Sequence, residues 1–380
     1  HILKLLLFFI GSYHFNTYTN FSLLDNVCIM AYNFSNAGKR RDILKNNKRI
    51  AWIDNAKAIA IFFIVLGHRL PSGELCGYLY SFHVPMFFFL SGLTFSADKA
   101  PQKYLKEKAT RILIPYFAFS LVSVAIYCIL NLIFHKDGLS PGQCLLGMLI
   151  GTRSTGLMLW NNPLWFLPCL FVLLIFAYII KRFIFRSNKT VFTVISLAVS
   201  VAAVIILYCT KFYPDAPFGI IQAVNASPYF IIGTLTMQLL YKDEKPKIAP
   251  PIWAKVLVSL ILIVGGAFLS TLNSRTDFAM NDFGKLWIYA PTAIAGIFGW
   301  CLLASIFRSN GLAYIGRHTM PILLMHKFPI QLYGFLPISA ENTAVSILLS
   351  VLTVVLCLAA SWIFVKIKNQ LFNHQTNPHR

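Results

Sequence analysis

Residues 190–209 read TVFTVISLAVSVAAVIILYC, a run of twenty without a charge or a proline. At 1.5 Å of rise per residue, a helix of that length covers about 30 Å, the thickness of a bilayer's hydrocarbon core. Working outward from it, runs of comparable length and apolarity recur at 51–70, 77–97, 111–134, 163–181, 219–241, 252–272, 286–306, 312–333 and 343–366. The composition agrees: 57% of the 380 residues are hydrophobic, 15% aromatic and only 12% charged, with a mean hydropathy of +0.66. Soluble domains carry about a quarter charged residues, so soluble, disordered and fibrous classes are excluded. The expected fold is all-α, a polytopic integral membrane protein of about ten transmembrane helices.

Lys and Arg number 33 against 13 Asp and Glu, a net charge of +20. In a polytopic protein such a surplus follows from basic cytoplasmic loops rather than from a nucleic-acid partner, and none is expected. With ten spans, 24 of the cations fall on one side and 6 on the other, Lys4, Lys57 and Lys327 standing apart. Both termini are therefore expected in the cytoplasm of a multi-pass protein of the inner (plasma) membrane. Residues 1–47 are expected to form an N-terminal extension ending in a basic cytoplasmic segment, 48–368 the membrane domain and 369–380 a cytoplasmic tail. Of the cysteines, Cys128, Cys169, Cys209, Cys301 and Cys357 lie within spans as small core residues, whereas Cys76 and Cys144 lie toward the oxidising side, where a bridge could form.

An ionisable side chain in mid-bilayer costs about 2.5–3.5 kcal/mol on insertion scales, which makes each one a functional candidate. The first span, AWIDNAKAIAIFFIVLGH, places Lys57 and His68 eleven residues apart. They are then about 20° from a common helical face and about 16.5 Å apart in height, the lysine low and the imidazole high. Asp54 is expected to pair with Lys57. By the same rise, His83 in GYLYSFHVPMFFFLSGLTF and His326 in LAYIGRHTMPILLMHKFPI reach the same outer-half layer, either as satisfied core histidines or as a supporting polar layer around His68. Asp54 is the only acid inside a span, so histidine must supply any acid or base chemistry. No metal site is expected, for acid and cysteine partners at ligand spacing are lacking. In KEKATRILIPY, Lys108 and Arg111 share a helical face next to Lys106, as a positive-inside anchor or as a seat for a polyanion. Trp165, in NNPLWFLP, reads as an interfacial aromatic or as a sugar platform, and Arg317 and His318 as cytoplasmic anchors.

Taken in order, KRIAWIDNAKAIAIFFIVLGH, SFHVPMFFFLSG, KATRILIPY, PLWFLPCLF and IGRHTMPILLMH resemble the signature segments of the membrane acyltransferase 3 family, most closely its fucose 4-O-acetylase-like branch, over about residues 48–366. That resemblance implies acyl transfer from acyl-CoA, usually acetyl-CoA, to a hydroxyl of a cell-envelope carbohydrate or lipid-linked glycan. It implies His68 as base or acyl carrier, donor phosphates at Lys57, Lys108 and Arg111, and acceptor contact at Trp165. The family's arginine is replaced by Lys57 and one arginine of its Arg-x-x-Arg motif by Lys108, which keeps charge but not the bidentate fork. The competing reading is a transporter or flippase of a glycan intermediate, in which the same polar layer lines a path; the paired interrupted helices of an internal repeat are not found.

Overall fold

The computed structural model describes residues 50–135, 137–185, 188–242, 245–247, 250–307, 309–335 and 342–375. The basic segment 39–49 and residues 376–380 of the C-terminal tail lie outside them. Residues 46–363 form a compact unit, which the last helix outruns at its C-terminal end.

Nearly all of that unit is helical: α1 (Ala51–Arg69), α2 (Glu74–Leu93), α3 (Pro101–Ile133), α4 (Pro141–Ile150), α5 (Asn162–Ile184), α6 (Lys189–Thr210), α7 (Pro217–Leu240), α8 (Ile252–Thr271), α9 (Leu286–Ala304), α10 (Asn310–Arg317), α11 (Thr319–Met325), α12 (Lys327–Tyr333) and α13 (Thr343–Gln375). A two-residue antiparallel ladder, β1 (Tyr241–Lys242) with β2 (Lys245–Pro246), caps the turn after α7. Among the described residues eight helices are long and apolar enough to cross a membrane: α1, α3, α5, α6, α7, α8, α9 and α13. The protein is an all-α polytopic membrane protein. Helix α2 matches them in length, but its Tyr, Ser, His, Pro and Gly residues lower its hydropathy.

One expected span is not a single helix. The run 312–333 is broken at His318 and His326 into α10, α11 and α12. Each break stands three residues before a proline, Pro321 and Pro329, whose missing N–H cannot reach the carbonyl four residues back. A second difference is at α3, which begins at Pro101 instead of 111 and passes through an i→i−5 turn at Ala109–Leu113, just ahead of Pro115. Such a turn absorbs a residue where proline breaks the α ladder.

The first helix is central and mostly buried, whereas α6, α8 and α13 leave most of their apolar side chains exposed, as lipid-facing helices do. Close backbone approach replaces side-chain burial at two crossings. A Cβ on Gly92 of α2 would sit 1.9 Å from the Phe230 carbonyl of α7, and one on Gly233 of α7 would sit 2.1 Å from the Phe89 carbonyl of α2. Gly316 of α10 is pressed equally hard on α1, with its absent Cβ 1.8 Å from the Asp54 carbonyl. Small residues at such contacts are how membrane helices gain packing without a hydrophobic drive. Cys76 and Cys144 are buried free thiols directed to the Leu70 and Leu139 carbonyls, so the bridge considered from sequence is not formed.

Candidate active site

Near the C-terminal end of α1, His68 meets residues from α2 and from the break between α11 and α12. The His68 and His326 rings lie 5.3 Å apart between centroids and the His68 and Tyr80 rings 6.4 Å apart, while Tyr80 is 5.0 Å from His83 on the same helix. The three histidines expected at one depth, His68, His83 and His326, therefore occupy one cluster. His326 is fully buried and its Nδ1 lies 3.0 Å from the Ile322 carbonyl and 2.9 Å from that of Leu323. A carbonyl only accepts, so Nδ1 carries the proton in neutral His326 and Nε2 presents a lone pair, for which no partner exists among the described residues. His83, 3% exposed, is fixed in the same tautomer by the Leu79 carbonyl. Among the described residues no three histidine, cysteine or carboxylate groups converge closely enough to hold a metal ion.

Loops fold back onto this cluster. The segment between α8 and α9 buries Phe278 against Phe88 and Phe283, and Gln222 and Asn225 of α7 tie it down through the Ala279 carbonyl and the Asn281 amide. Its Asp277 receives Arg153 from the α4–α5 loop at 2.9 Å. Arg275 lies over the Tyr80 ring, 4.6 Å from its centroid, and donates to the Pro71 carbonyl. Lys327 follows His326, and its charge, with that of Arg153, falls within electrostatic reach of His68. Trp165 is buried and stacked on Phe278 at 6.3 Å, not at a lipid-facing interface.

At the other end of α1, Lys57 lines a cavity of about 220 Å³. Asp54, Arg317, Thr319 and Ser91 share its polar lining, and Ile61, Ile64, Phe87, Leu167, Leu170 and Leu323 are among its apolar walls. Ile64 and Leu323 stand about one helical turn below His68 and His326, so the cavity extends from the level of Lys57 toward the histidines. Arg317, expected as an anchor, thus lines the same cavity as Lys57. Lys108 and Arg111 are not brought there: Lys108 lies over the Tyr104 ring, and Arg111, its side chain 70% exposed, pairs with Glu107 at 2.8 Å. Helix α5 lines the cavity and also packs on the turn that carries Arg111.

Sequence reading missed Tyr80, Arg153, Asp277, Arg275 and Arg317. The one signal available was Lys327, a cation inside a span that the charge asymmetry leaves unexplained.

The fold and site define a multi-pass membrane protein with a buried histidine cluster near one end of α1 and a cavity lined by Lys57 and Arg317 near the other. A family model described as an acyltransferase domain matches residues 50–366. The chain belongs to the acyltransferase 3 family and is a membrane acyltransferase. No curated protein and no solved structure matches it.

Proposed function

We propose that this protein is an O-acetyltransferase of the inner (plasma) membrane, moving an acetyl group from acetyl-CoA to a hydroxyl of a cell-envelope or exopolysaccharide sugar. The observation that carries the proposal is the alignment on α1: Lys57 in the mouth of a cavity and His68 beyond its far wall, both facing α11 and the residues that flank it. Lys57 and Arg317 hold the donor's phosphates, and the acyl arm lies along the apolar walls toward His68. His68 takes the proton of the acceptor hydroxyl, the oxygen attacks the thioester carbon, the C–S bond breaks, and the CoA thiolate leaves to be protonated. Alternatively His68 carries the acetyl group itself. The His326 ring packed on His68 orients it, His83 supports Tyr80, and Trp165, through Phe278, borders the acceptor region.

General-base assistance is worth about 10² to 10⁴ in rate. His68→Ala should therefore abolish ester formation from radiolabelled acetyl-CoA in membranes that hold a normal amount of the protein. Transfer within about tenfold of the unaltered protein would remove His68 from the chemistry.

A further inference from the structure

The histidine cluster carries more positive charge than its carboxylates balance. Arg153 and Lys327 act on each other as like charges and both act on His68. Arg275 adds a third cation above Tyr80. Asp277 is the carboxylate paired into the group, and it pairs with Arg153. Lys327, half-buried beside the fully buried His326, makes no ion pair or hydrogen bond among the described residues. A desolvated ammonium without a partner is costly, and a cation retained at membrane depth calls for one. The neighbouring unpartnered atoms point the same way. Asn161, held to Ser123 and the Leu324 carbonyl through its amide nitrogen, keeps a buried carbonyl oxygen free among the described residues, as does Asn162. Such acceptors suit the hydroxyls of a sugar, and the lysine suits an anion on the same molecule.

We propose that the acceptor bears an anionic group, the carboxylate of an acidic sugar or the phosphate of a carrier-linked one, and that Lys327 with Arg153 holds this group while the hydroxyl meets His68. This rests on the acetyltransfer reading and adds the acceptor's charge class to it. Donor phosphates are not the anion concerned, because they belong to the Lys57 mouth at the opposite end of α1.

The test uses the full chain in lipid nanodiscs with acetyl-CoA and three acceptors: a neutral oligosaccharide, a uronic-acid oligosaccharide of the same length, and the neutral glycan on a polyprenyl phosphate. One charged acceptor should show a KM at least about tenfold below the neutral one, as a charge-assisted contact provides, and which of the two does so identifies the source of the anion. Lys327→Gln should collapse that ratio and Lys327→Arg should keep it. Equal KM values for the three would overturn the inference. So would a Lys327→Gln enzyme whose kcat falls alike for all acceptors with the KM ratio intact, the pattern of a structural or oxyanion-stabilising lysine. If no acceptor is acetylated, equilibrium binding separates the two claims. A charged-over-neutral preference that disappears in Lys327→Gln would support the anion site and refute acetyltransfer, whereas equal binding would refute the anion site.

Discussion

Lys57 and Arg317 share the rim of one cavity although 260 positions separate them in the chain. Two cations facing a common space hold a diphosphate better than either alone, each charge-assisted contact being worth about 1.5–3 kcal/mol. Lys57→Ala should raise the KM for acetyl-CoA by about tenfold or more and leave the KM for acceptor in place. Arg317→Ala should act in the same direction, while Lys57→Arg, which restores the family's guanidinium, should keep donor affinity. An unchanged donor KM in both alanine variants would detach the cavity from donor binding. At the other end, the tautomer of His326 leaves its buried Nε2 a free acceptor among the described residues, which costs about 1–3 kcal/mol unless a bound hydroxyl donates to it.

Elements enter because α2 delivers Tyr80 and His83 to the site only as precisely as α2 seats on α7. Gly92 and Gly233 set that seat through backbone contacts too close for any side chain. Gly92→Ala or Gly233→Ala must push the helices apart, at about 1–3 kcal/mol of overpacking. Gly77→Ala, on the same α2 but with nothing within 4 Å of its added Cβ, should be neutral or stabilising by up to about 1 kcal/mol. Thermal unfolding in detergent checks the contrast, and three equal transitions would deny that the glycines set the crossing. The same elements show what the chain made readable. The heights of His68, His83 and His326 follow from residue index because a helix rises evenly, and apolar runs located the spans. The break at His326 had its signal in Pro329, three residues on. Arg317 was unreadable because its partner is chosen by Gly316 closing on Asp54, a long-range contact that leaves no period in the sequence. Arg153 and Asp277 meet across 124 residues from loops that have no period at all.

At the scale of the whole molecule, direction decides whether the proposed chemistry has access to its substrates. Along α1 the chain rises from the cavity with Lys57 to the cluster with His68, and the cation asymmetry of 24 against 6 predicts that the former end faces the cytoplasm. Acetyl-CoA is a cytoplasmic metabolite, and an envelope sugar is modified beyond the membrane, so the orientation and the proposed roles of the two ends stand or fall together. Gln102, at the start of α3, and Asp137, beyond its far end, are both exposed and mark the two ends. In a cysteine-depleted background, Asp137→Cys should react with a membrane-impermeant maleimide on intact cells, and Gln102→Cys only after permeabilisation. The reverse labelling would turn the Lys57 cavity away from the cytoplasmic donor pool. It would then refute both the positive-inside assignment and the donor route along α1, even if His68→Ala proved inactive.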